Sequence, residues 1–121
     1  ILSCVERLAK AHDSEVIIFH DEMVGPEDED RRAGIKEALQ DYSVELANTG
    51  LKVTLDMSTY KRPIREILKK IDEMQIDLVS MASHGEAGVR LSMEESVTAE
   101  VVRHANCPLL VWSADPQCPI A

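Results

Sequence analysis

Hydrophobic positions along this chain recur at two spacings, and the two alternate from one end to the other. Leu2, Val5, Leu8 and Ala9 repeat at helical intervals, with Glu6, Arg7 and Lys10 between them, and predict a first helix. His12, Asp13 and Ser14 end it. Val16, Ile17, Ile18 and Phe19 form a continuous apolar run, as expected of a strand buried on both faces. Residues 21–30 are polar, punctuated by Gly25 and Pro26. A second helix carries Ile35, Ala38, Leu39, Tyr42 and Leu46 on one face, and Asn48, Thr49 and Gly50 stop it.

Leu51, Val53, Leu55 and Met57 then alternate with Lys52, Thr54, Asp56 and Ser58, the period-two pattern of a strand with one buried face. Pro63 suits the first turn of a third helix. Its stripe is Ile64, Ile67, Leu68, Ile71 and Met74, the clearest helical signal in the chain. Leu78, Val79, Ser80 and Met81 form a third strand, and a loop with Gly85 and Gly88 follows. A fourth helix over residues 95–104 turns Val97, Val101 and Val102 inward. Leu109, Leu110, Val111 and Trp112 make the last strand. Strict alternation of helix and strand, with helical crossovers, predicts one α/β domain over residues 1–121. Its parallel sheet is doubly wound, with helices on both faces in three layers. The alternating strand belongs at an edge. The last strand is apolar throughout and needs cover; if the topology leaves it at the other edge, a partner chain is the simplest cover for it.

Composition narrows the function classes. The net charge of −9 argues against binding the phosphate backbone of nucleic acids or an anionic membrane surface. Part of that charge is the acidic run of Glu27, Asp28, Glu29 and Asp30, read as a solvated loop or helix start. Aromatic residues are only 3%, so the core is aliphatic. Cys4, Cys107 and Cys118 form no Cys-x-x-Cys pair, which leads to an expectation of reduced thiols in a cytoplasmic protein. No apolar run reaches the roughly 18 residues of a membrane span.

Three blocks carry a resemblance. They are Asp77-Leu78-Val79-Ser80-Met81-Ala82-Ser83-His84-Gly85, then Ser96-Val97, then Val102-Arg103-His104-Ala105-Asn106-Cys107-Pro108-Leu109-Leu110-Val111. Blocks and spacing resemble the C-terminal half of universal stress proteins. Ala9-Lys10-Ala11-His12 followed by residues 16–20 resembles that family's first helix and second strand. The resemblance implies a Rossmann-like sheet of the adenine nucleotide hydrolase-like type, with strand order 3-2-1-4-5 and ligands at the carboxyl ends of the strands. It also implies dimerisation through the last strand, here Leu109, Leu110, Val111, Trp112 and Ser113, while the net charge leaves no nucleic-acid or membrane partner expected.

The chain departs from the family pattern twice. A first strand and its turn, about 15 residues, are absent from the sequence. That strand carries the Asp that faces adenine in nucleotide-binding members. Without it, the strands at Val16 and Leu78 are expected to pair directly or to receive a strand from elsewhere, because an unfilled gap would strand backbone groups at about 1–3 kcal/mol each, and an open gap is expected only if residues have been left out of the recorded sequence. The second departure is in the phosphate loop. ATP-binding members carry Gly-x2-Gly-x9-Gly-[Ser/Thr], whose glycines let backbone N–H groups approach phosphate. The corresponding positions here are Ala82, Gly85, Glu95 and Ser96, followed by Val97. Glu95 adds bulk and a negative charge. At an effective dielectric of 20, a like-charge contact near 4 Å costs roughly 4 kcal/mol before relaxation, about a thousandfold in affinity.

The remaining chemistry-bearing residues have structural readings. Ser83 and His84 are adjacent in a loop with no placed acid, so no catalytic triad is indicated. His12, His20 and His104 share no metal-binding spacing. Ser96 reads as a helix cap, Gly85 and Gly88 as turn formers, and Met57, Met74, Met81 and Met93 as packing. The resulting expectation is a non-enzymatic, homodimeric stress-response module with no tightly bound cofactor. The alternatives are an ATP- or AMP-binding member with a degenerate loop, and a regulatory domain of a larger protein.

Overall fold

The computed structural model describes residues 2–21, 28–59, 62–82 and 97–112. Helices and strands alternate as the spacing predicts. In order they are α1 (Leu2–His12), β1 (Glu15–Asp21), α2 (Glu29–Asn48), β2 (Lys52–Ser58), α3 (Pro63–Glu73), β3 (Val79–Ala82), α4 (Val97–His104) and β4 (Leu109–Trp112). The described chain falls into two compact units, one over Leu2–Pro63 and the other from Ile64 onward.

In the first unit β1 pairs with β2 in parallel, Glu15 opposite Lys52 through to Asp21 opposite Ser58. The crossover between them is α2, which packs on β2. The Glu15 and Lys52 side chains approach to 3.6 Å at the start of this register, but both are exposed, so the pair contributes little. In the second unit β3 pairs with β4 in parallel, Val79 opposite Leu109 through to Ala82 opposite Trp112, with α4 as crossover. Each parallel pair is therefore made by consecutive strands joined through a helix. Among the described residues β1 is bonded to β2 alone and β3 to β4 alone. A helical crossover brings consecutive strands side by side.

The helix ends follow recognisable backbone chemistry. Asp13 closes α1 with φ of 51°, and Gln75 closes α3 with φ of 54°. At α1 the Ser14 N–H donates to Ala9 O and the Asp13 N–H to Lys10 O. At α3 the Ile76 N–H donates to Ile71 O and the Gln75 N–H to Asp72 O. Both are Schellman caps, and both place a non-glycine residue at the left-handed position. At α2 the left-handed residue is Gly50, with φ of 96°. The acidic run is a helix start at least in part. Glu29 and Asp30 occupy the first turn of α2, where they complement the helix dipole.

The hydrophobic positions that are fully buried among the described residues are Cys4 and Ala9 on α1, Leu46 on α2, Ile71 on α3 and Val101 on α4. All lie on helices. Val16, Ile17, Ile18 and Phe19, expected to be buried on both faces, are half-buried. Full burial of a strand requires cover on both faces and both edges, and β1 has one described strand neighbour. The α2 stripe is rotated from its expected position. Ile35, Leu39, Ser43 and Leu46 turn inward, while Ala38 and Tyr42 are exposed. The phenol hydroxyl favours such a partly wet position. Met74 lies beyond the end of α3 and is exposed, so it does not belong to the core stripe. Val102 is exposed beside the buried Val101. The expectation of three reduced cysteines is corrected at Cys4, which is disulfide-bonded, whereas Cys107 is free.

Candidate functional site at the strand ends

Parallel α/β sheets present their ligand-binding chemistry at the carboxyl ends of the strands. In the first unit those ends are Asp21 of β1 and Ser58 of β2, directly opposite one another in the register. Asp21 is buried at 4% exposure, the one polar or charged residue so buried among those described. Its Oδ1 accepts a hydrogen bond from Ser58 Oγ at 2.5 Å, and its Oδ2 accepts one from the Arg62 backbone N–H at 2.5 Å. A buried carboxylate is costly unless hydrogen-bonded, and these two donors occupy one oxygen each. Sequence reading placed Asp21 only at the start of a polar stretch. The missed signal was the register, which sets a carboxylate opposite a hydroxyl.

In the second unit β3 ends at Ala82 and α4 begins at Val97, so the two described members of the degenerate loop bracket it. Gly85, Glu95 and Ser96 lie outside the described residues, as do Ser83, His84, Gly88, Met93 and Ser113. Val97 is half-buried in the first turn of α4. Further along α4, Glu100 accepts a hydrogen bond from Arg103 Nη1 at 2.7 Å and lies 3.4 Å from His104 Nε2. These are helix-surface pairs at i,i+3 and i,i+4 spacing.

Cys107 lies between α4 and β4. Burial first, and then the negative charges of Asp72 and Asp77, raise its thiol above the ordinary value of 9.0, against a backbone hydrogen bond that lowers it. That is the opposite of what an activated nucleophile requires. Among the described residues no group of three or more His, Cys, Asp or Glu is placed to hold a metal ion. None of the described helices is long and apolar enough to cross a membrane.

β4 carries the residues expected at an interface. Leu109 and Leu110 are half-buried, while Val111 is 45% exposed. Among the described residues β4 is bonded to β3 alone.

A sequence profile described as the Universal stress protein family matches residues 2–113. This chain belongs to that family. Universal stress protein MJ0577 of Methanocaldococcus jannaschii is 32% identical over 76 residues. That match covers 63% of this chain and 46% of the relative, so the chain spans about half the length of the curated relative it matches. Two solved structures are similar. A universal stress protein in complex with cAMP has a TM-score of 0.67 at 20% identity, covering 92% of this chain and 85% of that one. The structure of hypothetical protein MJ0577, solved for structure-based assignment of its biochemical function, has a TM-score of 0.65 at 25% identity. It covers 96% of this chain and 87% of that one. The fold is thus the Rossmann-like α/β fold of universal stress proteins, and the family match runs through both compact units.

Proposed function

We propose that this universal stress protein is a non-enzymatic stress-response module that acts as a homodimer and does not hold ATP tightly. The observation that carries this reading is Glu95 where ATP-binding relatives place a phosphate-loop glycine, with Ala82 replacing a second. A carboxylate at that position opposes a triphosphate by charge and by bulk. The raised thiol of Cys107 fits a chain without an activated nucleophile. β4, bonded to β3 alone among the described residues and with Val111 exposed, supports pairing with a second copy of the same strand.

A second reading is a binder of adenine nucleotides with fewer phosphates. It is favoured by the cAMP held by one structural neighbour. A nucleotide with one phosphate makes less demand on a loop built for three.

Isothermal titration with ATP, AMP and cAMP separates the two. The expected outcome is no ATP binding in the micromolar range, and a gain of about tenfold or more in ATP affinity for the Ala82→Gly, Glu95→Gly double variant. Micromolar ATP affinity in the unaltered protein would overturn the proposal. Micromolar AMP or cAMP affinity without ATP affinity would establish the second reading.

A further inference from the structure

We infer that Asp21 is a conformational latch, fixing the ends of β1 and β2 to the chain that enters α3. Asp21, Ser58 and Arg62 all lie within the compact unit Leu2–Pro63. The Arg62 N–H, one residue before α3 begins, is held by the buried carboxylate of Asp21, 41 positions earlier in the sequence. The same carboxylate takes the hydroxyl of Ser58, the last residue of β2. One side chain therefore ties together the end of β1, the end of β2 and the start of the crossover into α3.

The local chemistry explains why this contact holds the chain. Residue 63 is proline, which has no N–H and restricts the residue before it to extended backbone. Arg62 thus offers the last backbone donor before the helix. A carboxylate acceptor makes that bond charge-assisted, and the burial of Asp21 limits the access of water to the acceptor side. The β1–β2 ladder has its own backbone bonds from Glu15 opposite Lys52 to Asp21 opposite Ser58, so it does not depend on the latch. Loss of the carboxylate therefore releases the crossover while leaving the strand pair intact.

Residue-resolved amide exchange on the full chain tests this. In Asp21→Ala the Arg62 amide is expected to exchange about ten- to a hundredfold faster, the range for a lost hydrogen bond to a charged group. The amides of Ile17, Ile18 and Leu55 are expected to keep their protection. Ser58→Ala is expected to leave Arg62 protected. Unchanged exchange at Arg62 in Asp21→Ala, or an equal acceleration of every β1 and β2 amide, would overturn the latch. If Asp21→Ala does not fold, the unaltered protein still decides. A through-hydrogen-bond coupling between the Arg62 amide nitrogen and the Asp21 carboxylate carbon is expected, and its absence would refute the proposal.

Discussion

Cys107 holds its proton because burial disfavours the thiolate and because Asp72 and Asp77 repel it. Its raised value means that the folded state binds the proton more tightly than the unfolded one. The group therefore favours the fold below the ordinary thiol range, and that contribution is lost as pH rises through the folded value. Alkylation by iodoacetamide at pH 8 is expected to be several-fold slower at Cys107 than at a cysteine in an unfolded peptide, as followed by mass spectrometry. Asp72→Asn is expected to speed it, and an unchanged rate would show that the carboxylate does not act on the thiol. The residue type alone did not disclose any of this, because Asp72 and Asp77 act on Cys107 across a long stretch of sequence. Asp21 escaped sequence reading for a related reason. Its role depends on Ser58 and Arg62, which only the parallel register and the turn into α3 bring to it.

At the scale of the elements, helical periodicity located the four described helices, and three apolar runs and one alternating segment located the four described strands to within one or two residues. The helix ends hold the less obvious chemistry. Gln75 sits in the left-handed region, where a side chain is disfavoured by roughly 1–2 kcal/mol and glycine is not. Gln75→Gly is expected to stabilise the protein by about 1 kcal/mol, less than the full strain because glycine gains freedom in the unfolded chain. A urea titration measures it as a higher midpoint at unchanged slope. A lower midpoint would mean that the Gln75 side chain makes a contact worth more than the strain. The strands differ from expectation in burial rather than in position. Apolar runs predicted strands covered on both faces, yet the fully buried hydrophobic positions among the described residues are on helices. Composition records what a strand could bury, while neighbours decide what it does bury.

At the scale of the whole molecule, the proposed homodimer rests on β4. Its exposed Val111 lies in a strand whose described partner is β3 alone. An antiparallel pairing of two β4 edges about a two-fold axis would extend the ladder and cover that position. Proline at residue 111 removes a backbone donor from an edge that must pair, so Val111→Pro is expected to shift the protein toward monomer in sedimentation velocity. A monomer at high micromolar concentration before substitution would refute the dimer.

Some features of this protein follow from neighbouring residues alone. The alternation of periods 3.6 and 2 predicted an α/β fold with parallel pairing, because each period reports a local geometry that the next few residues suffice to define. The blocks from Asp77 to Gly85 and from Val102 to Val111 resembled the universal stress proteins, and the family match over residues 2–113 agrees. Tertiary structure alone decided which strands pair, which apolar residues are covered, and which groups meet Asp21 and Cys107. Those outcomes depend on register and crossover geometry between positions far apart in the chain, and a shift of one residue in β2 would take Ser58 away from Asp21 while leaving every helix and strand signal in the sequence unchanged.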